Sequence, residues 1–199
     1  MTFDFLVDTY ATERLKTLSV WAQVPADAFD ARPEPRARSP HEHMVHQCTS
    51  EDGWMRTMLG IDVGLAPLPA TETTAAFLST YAEASGRRLD ALRRQTDAWF
   101  LEPTRFFDVE RPRAWVLVRR FTHTAHHRGQ LTALLRARGV ALSSTYGPTA
   151  DTGGLAAHGG RVLYRAPDVE TLLEREARGD GGPPLPGPGP VPPTERPTR

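Results

Sequence analysis

Four separated stretches of this chain repeat their apolar residues at intervals of three and four, and no long stretch alternates with the two-residue period of a strand. A helix with one apolar stripe must bury it against a neighbour, so four such helices dictate an all-α fold, a four-helix bundle. The first, about residues 3 to 22, places Phe5, Leu6, Tyr10, Leu15, Leu18 and Trp21 on one side and ends in a loop containing Pro25. The second, about 39 to 59, opens with Ser39, Pro40 and Glu42, a capping-box pattern, and is followed by Gly60. The third, about 73 to 100, carries Phe77, Tyr81, Leu89, Leu92 and Trp99, weakened locally by Gly86. The fourth runs from about Pro112 to Arg138, stops at Gly139, and has an inward stripe that includes Val116, His123, His127, Gln130 and Leu134.

The connection from Gly60 to Ala70 bears on topology. Fully extended, it spans about 36 Å, while a helix of about 20 residues is roughly 30 Å long. It can therefore cross the bundle lengthwise and let the second and third helices run parallel, or it can meander at one end. After Gly139 the run SSTYGPTADTGGLAAHGG is rich in turn formers and reads as an ordered loop. RVLYRA, residues 161 to 166, is expected to add a short extended piece, and DVETLLEREA a small helix begun by Asp168. The expected organisation is a bundle over residues 1–165, a short helix within 166–178, and a Pro/Gly-rich disordered tail over 179–199.

Composition excludes more than it assigns. Acidic and basic residues balance at 24 each, so there is neither an excess of positive charge for nucleic acid nor a basic stripe for a membrane surface. Cys48 is the single cysteine, which rules out an internal disulfide and fits a reducing compartment. Its place in a helical apolar pattern reads as a buried structural thiol. The N-terminus lacks the pattern of a secretory signal, and no apolar run approaches the ~18 residues of a membrane span. A cytoplasmic, soluble protein is expected.

The chemistry concentrates in HTAHHRGQ, where His123 and His127 stand four residues apart on the fourth helix. Residues i and i+4 are about 40° apart around the axis and one turn apart along it, so both imidazoles can reach one ion. An isolated pair of this kind is more often just two polar residues on a partly exposed helix. Here the pair shares a stripe with Val116 and Leu134, and neutral imidazoles that point inward need partners or a metal. A third donor is available at His46, in SPHEHMVHQ on the second helix, with His43, Ser50 and Gly53 nearest its face. His126 lies about 80° from the mean direction of His123 and His127 and is not expected to share an ion with them.

SPHEHMVHQ together with RAWVLVRRFTHTAHHRGQLTALL resembles the DinB/YfiT superfamily of four-helix-bundle metalloenzymes, whose main signature is HxxxHRGQ with an upstream His on the second helix. The likeness covers about residues 3 to 165, and STYGPTADTGG is similar to one branch of the family. It implies up-down-down-up topology, a divalent metal held by His46, His123 and His127 with zinc or nickel the expected ion, and a homodimer. His126, Arg128, Gly129 and Gln130 complete the motif. Relatives in that superfamily include thiol-dependent transferases that use bacillithiol or mycothiol and a mycothiol-dependent maleylpyruvate isomerase, and many have no established reaction.

Three neutral imidazoles and an open position are the plan of a catalytic site rather than a closed structural one. The leading expectation is a metal-dependent transferase that activates a low-molecular-weight thiol for attack on a small-molecule substrate. A metal-dependent hydrolase, or a non-catalytic metal-binding protein linked to stress, is the alternative. Gln130, one turn beyond His127, is a candidate to bond a ligand or the substrate. Arg119 and Arg120 could hold an anionic group or pair on the surface, and Tyr146 could close over the site from the loop. Asp151, in the same loop, is more simply a turn residue.

Overall fold

The capping box at Ser39 forms as its sequence requires: Ser39 Oγ accepts from the Glu42 amide at 3.2 Å, and the Glu42 carboxylate accepts from the Ser39 amide at 2.9 Å. With Pro40 at the first helical position this starts α2, Pro40–Thr57. The structure is a computed structural model that describes residues 2–191. The first periodic stretch forms α1, Asp4–Trp21. Thr73 begins α3, Thr74–Arg93, by accepting from the Ala76 amide.

The third stretch is not one helix to residue 100. α3 stops at Arg93, and Thr96 accepts from the Trp99 amide to start a separate short helix, α4, Asp97–Leu101. A side-chain acceptor that takes a free backbone amide makes a new helix N-terminus, while Trp99 keeps the apolar spacing running through the break. A small hairpin absent from the sequence expectation follows, with β1, Pro103–Phe106, antiparallel to β2, Val109–Pro112. Strands of four residues are too short to show a period. Pro112 then leads into α5, Arg113–Ala137.

The direction of each helix follows from two apolar clusters. One contains Leu18 and Trp21 from the end of α1, Met44 and Cys48 from the start of α2, Phe77 and Tyr81 from the start of α3, and Leu131 and Leu135 from the end of α5. The other contains Leu6 and Tyr10, Met55 and Leu59, Leu89 and Leu92, and Val116 and Leu117, from the opposite ends of the same helices. Thus α1 and α5 run one way and α2 and α3 the other, the up-down-down-up bundle. The segment from Leu59 to Thr73 must return the length of the molecule, with Val63 packed on one cluster and Leu68 on the other. The crossover is built.

A belt of buried polar side chains separates the two clusters. Glu51, 1% exposed, accepts from the hydroxyls of Tyr10 at 2.7 Å and Tyr81 at 2.9 Å and from Arg88 at 3.3 Å. Glu13, Thr17 and Arg128 form a second buried group, in which Arg128 donates to Thr17 Oγ1 and to Glu13. Buried charge persists only when paired in this way.

After α5, RVLYRA forms no strand. It is held to the loop instead by the Ser144 amide on the Leu163 carbonyl at 2.8 Å and the Leu163 amide on Ser144 Oγ at 3.1 Å. Asp168 caps α6, Val169–Arg178, which places Leu172 in the first cluster. Further on, Gly187 pairs with Thr152. Residues 192–199 of the expected tail lie outside the described residues. No helix among the described residues is long and apolar enough to cross a membrane.

Candidate metal centre

The buried side of α5 is turned slightly from the stripe expected. It runs through Val116, Leu117, Arg120, Phe121, Thr124, His127, Arg128, Leu131 and Leu135, while His123 and Leu134 are half-buried and Gln130 is exposed. This rotation puts His123 and His127 at the seam between α5 and α2, where His46 faces them. Ring centroids are 4.5 Å apart for His46 and His127, 4.5 Å for His123 and His127, and 5.3 Å for His46 and His123. One nitrogen from each of the three lies within 4.8 Å of the others. His126, on the same helix, is exposed.

Tested against a metal, these residues fit. Nitrogens bound at about 2.0–2.1 Å to a tetrahedral ion stand about 3.4 Å apart, and Nε2 of His123 and Nε2 of His127 are 3.2 Å apart. Nε2 of His46 is buried and has no hydrogen-bond partner among the described residues, a costly state for a polar atom that faces no ligand. All three imidazoles are held neutral, as metal donors must be. Burial, then the Arg120 charge and the other two histidines, push His123 down to about 3. Burial pushes His127 down to about 4 against the opposing pull of its bond to Gln130. His46 is lowered by burial and by the charges of Arg38 and Arg120.

Gln130 bonds a candidate ligand: its Oε1 is 2.9 Å from Nδ1 of His127. The oxygen can only accept, so the proton sits on Nδ1 and Nε2 is left with a lone pair toward the other histidines. Arg120 is buried beside the cluster. Its Nη1 donates to Ser50 Oγ at 2.8 Å and lies 3.3 Å from Nδ1 of His123, and its Nε is 3.8 Å from Glu51.

The structure separates the remaining candidates. Arg119 is exposed and donates to Thr122 Oγ1 on its own helix. Tyr146 does not close over the histidines; its hydroxyl joins Arg128 and donates to Glu13 at 2.9 Å, on the α1 side of α5. Asp151 pairs with Arg136 and accepts from the Leu142 amide, the turn role. Cys48 is buried, and burial pushes its thiol well up from the ordinary range, so it is no nucleophile.

Sequence reasoning missed Trp54, whose ring stacks on His123 with centroids 5.5 Å apart and planes 22° from parallel. Phe106 and Phe107 of the hairpin meet the same indole edge-on. The available signal was position: Trp54 lies two helical turns beyond His46. His43, one turn before His46, has its ring 5.6 Å from that of His127.

A family model described as the DinB family matches residues 3–153. The uncharacterized protein YrdA of Bacillus subtilis strain 168 is 36% identical over 84 residues, 41% of this chain and 48% of YrdA. The match thus spans about half the length of that relative. Among solved structures, a DinB-like protein from Bacillus cereus ATCC 10987 shares the fold at TM-score 0.63 and 19% identity, covering 71% of this chain and 95% of its own. YfiT from Bacillus subtilis, described as a probable metal-dependent hydrolase with an unusual four-helix bundle topology, aligns at TM-score 0.55 and 19% identity over 69% of this chain and 87% of YfiT.

Proposed function

The chain belongs to the DinB family, and from that premise we propose that it is a metal-dependent hydrolase of a small molecule, with His46, His123 and His127 as the metal ligands. The observation that carries the reading is the meeting of three neutral imidazole donors with no fourth His, Cys, Asp or Glu in the group among the described residues. A divalent ion there, zinc or nickel, supplies Lewis acidity and makes a nucleophile available at the position the imidazoles leave open. Gln130 fixes the tautomer and direction of His127. Trp54 covers one face of His123 and keeps solvent from that flank. Arg120 brings a buried positive charge beside the site, suited to charge that develops on a reacting oxygen. The description of YfiT as a probable metal-dependent hydrolase supports water as the nucleophile.

A thiol transferase is the second reading. Cys48 is buried and held protonated, so any thiol at the open position comes from a low-molecular-weight partner. A homodimer and a cytoplasmic setting belong to the same proposal, the first supported by the family likeness and the second by a chain with one cysteine.

The test is elemental analysis of the purified protein, followed by turnover of a panel of p-nitrophenyl esters with and without added bacillithiol or glutathione. Hydrolysis without thiol that disappears with chelator and in His127→Ala is the expected result. Turnover only when thiol is present moves the assignment to a transferase. Stoichiometric metal with no turnover in either case overturns both and leaves a metal-binding protein.

A further inference from the structure

Beside the three histidines a cleft of about 650 Å³ opens between the loop that precedes α2 and the C-terminal half of α5. Arg36, Arg38 and His43 form one wall, and Gln130, Leu134 and Ala137 stand on the other. The cleft adjoins the metal centre through two of these residues. Gln130 bonds His127, and the His43 ring stands 5.6 Å from that of His127.

The charge of the cleft is one-sided, since none of its lining residues is acidic. Arg36 forms an exposed ion pair with Glu34, 3.1 Å away. Arg38 makes no hydrogen bond or ion pair among the described residues, and its charge reaches His43, His46 and His127, each of which it disfavours in protonated form. Nδ1 of His43, a residue that is 5% exposed, is also buried with no hydrogen-bond partner among the described residues. An unpaired guanidinium in a cleft also lined by apolar Leu134 and Ala137 suits a molecule with an anionic head and a short apolar body. A guanidinium takes a carboxylate or a phosphate through two parallel N–H···O bonds.

We propose that this cleft is the substrate's anion subsite, in which Arg38 anchors a carboxylate or phosphate beside Leu134 and Ala137 while the rest of the molecule extends past His43 and Gln130 toward the three histidines. Its place in catalysis rests on the metal-centre reading above; the binding of the anion does not. The anionic group that the sequence directed to Arg119 or Arg120 is thereby moved to a residue from the loop ahead of α2. Arg119 is turned to solvent, and Arg120, whose Nη1 donates to Ser50, is not among the residues that line this cleft.

The experiment titrates hexanoate, hexyl phosphate and hexanol into the full chain, both chelator-treated and zinc-loaded, and follows the backbone amides of Arg38, Gln130 and Ala133 by NMR. In the chelator-treated protein at least one of the two anions is expected to bind at least tenfold more tightly than hexanol. Arg38→Gln should weaken that binding about tenfold, Arg38→Lys should restore part of it, and Arg36→Gln should change it less than threefold. Preference for hexanoate or for hexyl phosphate identifies the head group. Anion affinity unchanged in Arg38→Gln, or hexanol binding as tightly as the anions, overturns the proposal. Arg38 is exposed, so the variant's circular dichroism should match the parent's. Anion binding that survives in a protein that takes up neither zinc nor nickel would remove the hydrolase reading and leave the subsite. Zinc uptake with Arg38-independent anion binding removes the subsite alone.

Discussion

Nη1 of Arg120 stands 3.3 Å from Nδ1 of His123, and the other nitrogen of that ring stands 3.2 Å from Nε2 of His127. A guanidinium only donates, so Arg120 favours the His123 tautomer that carries its proton on Nε2, while Gln130 favours the His127 tautomer that carries its proton on Nδ1. The four side chains form a series in which Arg120 donates at one end and Gln130 accepts at the other. Ligation through Nε2 of His123 requires that proton to leave, and the neutral ring then carries its proton on Nδ1, where Arg120 cannot accept it.

Arg120→Gln should therefore bind metal more tightly than the parent, on the order of tenfold, because a glutamine oxygen can accept from Nδ1 of His123 as Gln130 does from His127. Competition against a chelator of known affinity measures this. Equal or weaker affinity in a folded variant would show that Arg120 does not hold His123 away from its metal-binding tautomer.

Gln130 acts at the other end of the series. Gln130→Ala is expected to weaken metal binding about tenfold, and Gln130→Glu to restore it, since a carboxylate also accepts from Nδ1 and adds negative charge. His126→Ala should leave the stoichiometry unchanged, while His46→Ala and His127→Ala should abolish tight binding. Elemental analysis after gel filtration separates these results, and loss of metal in His126→Ala would rule out the assigned ligand set.

Acid should destabilise the metal-free protein earlier than its carboxylates alone would predict. His43 and His127 are held at about 4 and His123 at about 3, against 6.5 for an ordinary histidine. Between those values the unfolded chain binds protons that the folded chain refuses, so stability is full above about pH 6.5 and falls as the pH drops toward 4. Burial raises the carboxyl of Glu13, but Arg128 and Lys16 outweigh it and hold it below 4.5, which adds a further loss in the same direction. Melting temperatures of chelator-treated protein from pH 7.5 to 4.5 should decline, and less so when the histidines are replaced by alanine. A flat profile between pH 7 and 5 contradicts the neutral cluster.

Glu51→Gln should cost about 3–5 kcal/mol, the usual penalty for breaking a buried ion pair from one side. Arg88 keeps Asp52 at 2.9 Å, but Arg120 loses its only carboxylate among the described residues. Denaturant unfolding gives the value. A loss below about 1 kcal/mol would mean that the polar belt is far more hydrated than its burial implies.

The three-histidine cluster was legible because two of its members share one helix. Spacing alone places His123 and His127 together and turns His126 away, while His46 was available on the second helix and was joined to them by the family likeness. Thr96 and the hairpin were not legible: a one-residue cap inside a continuing apolar period leaves no break in the pattern, and four-residue strands have almost none. Tyr146 was misplaced because its loop can approach α5 from either side, and its partners Glu13 and Lys16 come from α1.

What the sequence determined by itself is local: where most helices begin and end, which faces are apolar, and which histidines can point one way. These follow from backbone geometry and capping, which act over a few residues. The tertiary structure decided how α5 is rotated, which buried arginine faces His123, that Trp54 covers the ring, and that Arg38 from the loop ahead of α2 lines a cleft with the end of α5 and is unpaired among the described residues. Those outcomes depend on close packing and charge pairing between elements far apart in the chain, where a turn of a few tens of degrees exchanges one neighbour for another.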